Sequence, residues 1–192
     1  MDKDVNYVGT TFSLQNRIGR VLWAFVSGLF FQLSPKPFFE WRSFLLRCFG
    51  AKVGKAVHIY PNAKIWAPWN LEINDASAVA SGAILYTQGK IIIGRNVVIS
   101  QGSHLCAGTH DYNLPEFPLI TMPIIVQDFA WIAAEAFVHP GVIIGKGSVV
   151  GARSVVTKDT PEWMVCAGHP CKPIGKRNDI SIVNKQTLNV SK

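Results

Sequence analysis

From residue 53 onward an aliphatic side chain falls at every sixth position: Val53, Ile59, Ile65; Ile73, Val79, Leu85; Ile93, Ile99, Leu105; Val126, Ile132, Val138; Ile144, Val150, Val156. Each is Ile, Leu or Val, and the fourth residue after each is small or modest, as at Ala63, Ser77, Gly89, Ser103, Thr109, Ala136 and Ser148. Trp69 is the one bulky exception. A helix repeats at 3.6 residues and a strand at 2, so neither produces this spacing. A period of six is the signature of a parallel β-helix, in which the aliphatic residue points into a shared core. The small residue four places on fills the tighter inner space near a corner.

The units fall into threes. Two extra residues, Leu71-Glu72, part the first three from the second, and Ile91-Ile92 part the second from the third. Corresponding positions are therefore 20, 20, 33 and 18 residues apart along Val53, Ile73, Ile93, Val126 and Ile144. Three units per coil make a triangular prism of five coils, stacked at about 4.8 Å. The long stride exceeds 18 by the length of Asp111 to Ile125, which reads as a loop excursion from one corner. Pro115, Pro118 and Pro123 suit a stiff projection that cannot join the prism's sheets. The predicted fold is an all-β solenoid over 53–177, with a segment over 1–52 ahead of it and a mobile tail over 178–192.

The leading segment has a different pattern. Residues 1–13 are mostly polar and read as loosely held. Asn16 to Leu33 predicts an apolar helix ended by Ser34-Pro35-Lys36-Pro37, and Phe38 to Phe49 predicts a second, shorter one. Arg17, Arg20, Arg42 and Arg47 stand among aromatic and aliphatic residues there. Two readings compete: a cap that closes the open first coil, or a helical hairpin lying in a membrane interface with arginines toward headgroups. Val21 to Leu33 is short for a bilayer crossing, which needs about 20 residues. Pro161 to Arg177 can close the other end.

At 192 residues, 48% hydrophobic and 16% charged, the chain suits one folded domain. Its net charge of +7 points to an anionic partner or to a solvated basic surface. No groove-reading helix or basic patch interleaved with stacking aromatics is visible, which argues against nucleic acid. Cys48, Cys106, Cys166 and Cys171 lack metal-site spacing, and no cleavable leader is apparent, so they read as reduced thiols of a cytoplasmic protein.

Five histidines are the candidate chemistry: His58, His104, His110, His139 and His169. His110 stands apart because the rhythm stops immediately after it, and function collects where a loop leaves a rigid support. A stride of 20 stacks Leu105–His110 on Leu85–Lys90, placing Tyr86, Thr87 and Gln88 beneath that edge. No Ser or Cys nucleophile is spaced beside a base, and no metal-ligand cluster appears. A single histidine acting as general base is the chemistry these residues best support. Lys158, Lys172, Lys176 and Arg177, well removed along the prism, suit phosphates or a plain basic cap.

The chain resembles the hexapeptide-repeat acyltransferases, which wind as left-handed β-helices, and among them the colanic-acid biosynthesis acetyltransferase group. The wider resemblance rests on the hexads, on Asp128-Phe129-Ala130-Trp131-Ile132, on Pro140 to Gly145, on Val155 to Asp159 and on Ala167 to Lys172. The narrower one rests on Val57-His58-Ile59-Tyr60-Pro61, Ile65 to Ile73, Thr109-His110-Asp111-Tyr112, Leu33-Ser34-Pro35 and Phe44 to Ala51. It implies a homotrimer with active sites between prisms, and transfer of an acetyl group from acetyl-CoA to a hydroxyl or amine. It makes His110 the general base and sets pantetheine along Ala134 and Ala152. Thr157, Lys158 and Lys172 match positions near the cofactor's phosphates. A further basic position of some relatives falls on Gly175, where Lys176 or Arg177 is the substitute at hand. Tyr86 and Gln88 are acceptor candidates by stacking; Asp111 and Tyr112 either orient His110 or touch the sugar. The leading expectation is O-acetylation of an exopolysaccharide sugar or its lipid-linked precursor, with no metal. The alternatives are an N-acyltransferase and a non-catalytic scaffold.

Overall fold

The computed structural model describes residues 12–178; of the polar leader expected over 1–13 all but the last two residues, and of the tail expected over 178–192 all but the first, lie outside the described residues. The six-residue rhythm folds as a triangular parallel β-helix. Its first face carries Lys52–Val53, Leu71–Ile73, Ile91–Ile93, Ile124–Val126 and Ile143–Ile144 in that order. The second carries His58–Ile59, Ala78–Val79, Val98–Ile99, Trp131–Ile132 and Val149–Val150, and the third Lys64–Ile65, Ile84–Tyr86, His104–Cys106, Phe137–Val138 and Val155–Val156. Register follows the strides read from the sequence, with Val53 on Ile73, Ile73 on Ile93, Ile93 on Val126 and Val126 on Ile144. Five coils are complete and a sixth begins, through a bridge from Ile144 to Thr160 and the strand Met164–Gly168. That last strand turns back as an antiparallel hairpin with Cys171–Lys176.

The core lies inside the prism. Of the fifteen repeat aliphatics all are buried except Val53, which is half-buried. Apart from Thr109, the small residues follow the expected pattern, and Ser77, Ser103, Ser148 and Ser154 are buried at the inner corners. Interiors pack at crystal-like density, so a larger side chain at these places would have to displace backbone. Trp69 departs from the pattern for a structural reason. It turns outward and lies against Gly19, whose missing Cβ would sit 3.1 Å from the indole. The exception in the repeat is thus where the first coil holds the leading segment.

That segment is a helical hairpin. The helix α1, Leu14–Val26, is capped by Ser13, whose hydroxyl accepts from Asn16 N, and runs on into a π-helical turn over Ser27–Phe31. The second helix, α2, spans Phe39–Cys48. Trp23, Phe31, Leu45 and Leu46 join the prism core, and Trp23 Nε1 donates to Ile65 O at 2.7 Å. Arg42 is wholly buried and donates to Ile59 O, Ser34 Oγ, Pro35 O and Lys36 O, which fastens the interhelical turn to the first coil. A buried guanidinium with this many acceptors is satisfied rather than stranded. Among the described residues no helix is long and apolar enough to cross a membrane.

Candidate active site

The third coil is interrupted at the corner between the third and first faces. Wall pairing ends with Cys106 on Tyr86 and resumes with Ile124 on Ile91. Between them Gly108–His110 pairs antiparallel with Leu119–Thr121 as a separate two-stranded hairpin. The excursion therefore leaves the wall earlier than a start at Asp111, because Gly108, Thr109 and His110 belong to the hairpin. Stacking of Leu105–His110 on Leu85–Lys90 holds only as far as Cys106. Thr109 is exposed on the hairpin, whereas its hexad place implied an inner corner.

The hairpin root is tight. Ala107 N donates to Tyr86 O, and Met122 N donates to Ala107 O. A Cβ on Gly108 would lie 2.1 Å from Gln88 Oε1, so glycine is what allows the strand to pass so close. Gln88 Nε2 in turn donates to the Tyr86 hydroxyl at 2.9 Å. Tyr86 and Gln88 thus form a bonded pair at the foot of the hairpin. Thr87 does not join them: it is buried, and its hydroxyl both donates to Ala67 O and accepts from Ala67 N at 2.8 Å. That side chain ties two coils together.

His110 ends the outgoing strand and is exposed. Its Nδ1 lies 2.5 Å from the backbone carbonyl of Phe117 across the hairpin. A carbonyl can only accept, so Nδ1 carries the proton and the Nε2 lone pair of the neutral ring is left free. Phe117 reaches this position with φ of 44°, in the left-handed region that most side chains avoid. Asp111 N donates to Pro118 O, and Asp111 Oδ1 accepts from Asn113 N at 3.0 Å, an Asx turn that shapes the tip. The acidic neighbour thus builds the loop while a main-chain carbonyl orients the imidazole. Tyr112 points outward, 79% exposed. Sequence reasoning missed Phe117 because a backbone acceptor leaves no mark in side-chain pattern.

His104 is the contrasting case. It is half-buried in the third face between Tyr86 and Phe137, with ring centroids 6.1 and 4.9 Å away. Its Nε2 is buried without a partner, and burial pushes its pKa below the usual histidine value.

The expected donor residues divide between two corners. Ala134 and Ala152 stack 18 residues apart at the corner between the second and third faces, where Arg153 N donates to Ala134 O. Arg153 also meets Glu135 there, Nε to Oε2 at 2.6 Å, and this contact raises its pKa. Lys172 lies on the closing hairpin opposite Ala167, near the same corner. Thr157 and Lys158 instead follow Val155–Val156, at the corner from which the His110 hairpin springs two coils earlier. The third face lies between the two groups. Arg177 is anchored to Phe129 O and Gly147 O, while Lys176 is exposed. Among the described residues no group of three or more His, Cys, Asp or Glu could hold a metal ion.

No family model matches the chain. It is 46% identical over 162 residues to WcaF of Escherichia coli K12, named as a colanic acid biosynthesis acetyltransferase, covering 84% of this chain and 89% of that protein. A galactoside acetyltransferase solved in complex with coenzyme A superposes with a TM-score of 0.79 at 26% identity, over 90% of this chain and 88% of the other. The hexapeptide-repeat acetyltransferase VCA0836 of Vibrio cholerae shares the fold, with a TM-score of 0.79 at 24% identity over 87% and 95% of the two chains. The prism is accordingly the left-handed β-helix of the hexapeptide-repeat acetyltransferases, and the chain belongs to their colanic-acid biosynthesis acetyltransferase family.

Proposed function

We propose that this acetyltransferase moves an acetyl group from acetyl-CoA to a hydroxyl of a saccharide in exopolysaccharide biosynthesis, with His110 as general base. One observation carries the role of His110: its Nδ1–H is engaged by the Phe117 carbonyl, which fixes the ring and leaves Nε2 as the free base. Nε2 takes the acceptor's proton as the oxygen attacks the thioester carbonyl carbon. The tetrahedral oxyanion needs a donor, for which a backbone N–H of a facing coil suffices. Collapse breaks the C–S bond, and the leaving thiolate recovers the proton from the imidazolium. Tyr86 and Gln88 at the hairpin root, with Asp111 and the outward Tyr112 at its tip, are the proposed acceptor contacts.

The donor is read onto the corner of Ala134 and Ala152, whose small side chains leave room along successive coils, with Lys172 nearby for phosphate. Thr157 and Lys158 belong to the other corner. Ala134 and Ala152 stand across the third face from His110, so we place the donor along that corner of one prism and against His110 of a neighbouring one. This favours the homotrimer. From the second coil on the outward rungs agree with it: Ala78, Val98, Trp131 and Val149 on the second face and Ile84, His104, Phe137 and Val155 on the third carry no fixed charge, and the first coil's Lys64 on the third face is the exception. Sedimentation equilibrium should return a mass of three chains.

The decisive test is His110→Ala assayed with acetyl-CoA and a panel of saccharide acceptors. Loss of the base should lower kcat by about 10²- to 10⁴-fold with the melting temperature unchanged. Turnover within a few-fold of the parent would remove His110 from the chemistry. Mass-spectrometric identification of the product names the sugar and the hydroxyl.

A further inference from the structure

The leading hairpin has two apolar sides, and capping the prism uses only one. Along α1 and its π-helical turn, Trp23 and Phe31 face inward and are buried. Leu14, Ile18, Val21, Leu22, Phe25 and Leu29 recur at helical spacing on the opposite side and form an exposed stripe. Leu14 is 69% exposed, Val21 71% and Phe25 64%. The stripe runs on past the helix through Phe30 and Leu33 to Phe38, Trp41 and Phe44 on the second helix. This is not looseness of the segment. Trp23 is bonded to Ile65 O, Gly19 lies on Trp69, Arg42 locks the turn, and Trp41 Nε1 donates to Phe30 O at 3.0 Å.

A contiguous apolar surface of this kind on a rigid support calls for a partner. The charges around it select which kind. From Val5 to Phe39 the sequence holds no Asp or Glu, and the first acid of the hairpin is Glu40. Exposed Arg17 flanks the stripe about a quarter-turn from its centre, and Lys36 stands on the turn between the helices. Aromatic rings occupy five of the outward places, Phe25, Phe30, Phe38, Trp41 and Phe44. An apolar stripe edged by cations alone along α1, with Glu40 the one acid beside its α2 extension, and rich in aromatic rings matches the boundary between acyl chains and anionic headgroups. A protein partner would be expected to meet a rim of both signs.

We infer that the hairpin docks the protein on the surface of an anionic lipid bilayer, with the α1 stripe and the Phe30–Trp41 patch at acyl depth and Arg17 at the headgroups. The helix lies along the surface and does not span it. The cap and interface readings of this segment are therefore compatible, because opposite sides of one hairpin do the two jobs. The inference rests on the hairpin alone and stands whatever acceptor His110 serves.

The experiment is flotation of the full chain with vesicles of phosphatidylcholine and phosphatidylglycerol, against vesicles of phosphatidylcholine alone. The parent should float with anionic vesicles at low salt and partition several-fold less at 0.5 M salt. Leu22→Glu with Phe25→Glu should reduce partitioning by at least about tenfold, and Arg17→Glu by about fivefold. Both variants should keep the parent's melting temperature and acetyl-CoA turnover with a soluble acceptor, since neither touches the prism core or the His110 hairpin. Failure of the parent to float at low salt would overturn the inference. So would variants that float like the parent, or that lose self-association while still floating, which would assign the stripe to a second copy.

Discussion

The third coil's wall and the hairpin that leaves it each carry a histidine at the sixth place of a hexad, and they treat it in opposite ways. His104 is held between two rings with its Nε2 buried and unpartnered. His110, six residues on, is exposed with its Nδ1 bonded to a carbonyl. In the wall a residue's surroundings are set by the rungs above and below, so the environment is inherited from the repeat. In the hairpin they are set by bonds made once, at Phe117, Asp111 and Gln88. The scaffold supplies rigidity through repetition, and the chemistry is placed where repetition ends.

If that division is sound, damage to the wall should cost stability and damage to the hairpin should cost turnover. Ile99 is a fully buried rung between Val79 and Ile132. Ile99→Ala should destabilise by about 2–5 kcal/mol through lost burial and a residual cavity. Urea unfolding monitored by circular dichroism measures it. Turnover per folded molecule should stay at the parent's value, and a selective loss of kcat at unchanged stability would break the comparison.

A second, smaller effect belongs to the root of the hairpin. Gly108→Ala forces a methyl into Gln88 Oε1, and the flexible amide is what will move. The Gln88 to Tyr86 bond is then lost while the wall is spared. We expect kcat/KM for the acceptor to fall about tenfold, with less than about 1 kcal/mol of stability change. In a Gln88→Ala background Gly108→Ala should add less, because the amide is gone and only the Cβ of residue 88, 3.1 Å from the new methyl, is left to give way. Full additivity would show that the strand itself had shifted.

How much of this was legible follows the same division. The stride from Ile93 to Val126 located the excursion, and the strides around it fixed the wall pairings, because a constant register repeats one residue's environment at every coil. Even the misfit, Trp69, marked a contact that the repeat does not make with itself. The hairpin was not legible as a hairpin. Gly108 to His110 still obeys the hexad pattern in sequence, and only antiparallel pairing with Leu119 to Thr121 removes it from the wall. Its prolines argued against joining a sheet, which is true of the prism, but they did not prevent a private two-stranded one. The acceptor for Nδ1 could not have been named, since every residue has a carbonyl. The separation of Ala134 and Lys158 onto different corners follows from strand order, and it turns a single list of donor residues into an argument for a neighbouring prism.

The subtlest test uses the wall histidine itself. Burial holds the folded-state pKa of His104 below its unfolded value near 6.5, so the native state resists a proton that the unfolded chain accepts. Above that unfolded value the residue is neutral in both states and costs nothing. As pH falls from there toward the depressed folded pKa, the unfolded state gains protons first and stability declines. Outward neighbours on the same face, Tyr86 and Phe137, supply no negative charge at these pH values to offset the effect. Melting temperature should therefore drop between pH 7.5 and 5.5, and His104→Phe should flatten that part of the profile while leaving the His110-dependent rate in place. A profile unchanged by His104→Phe would mean that the wall's own surroundings, and not those of the hairpin, have been misjudged.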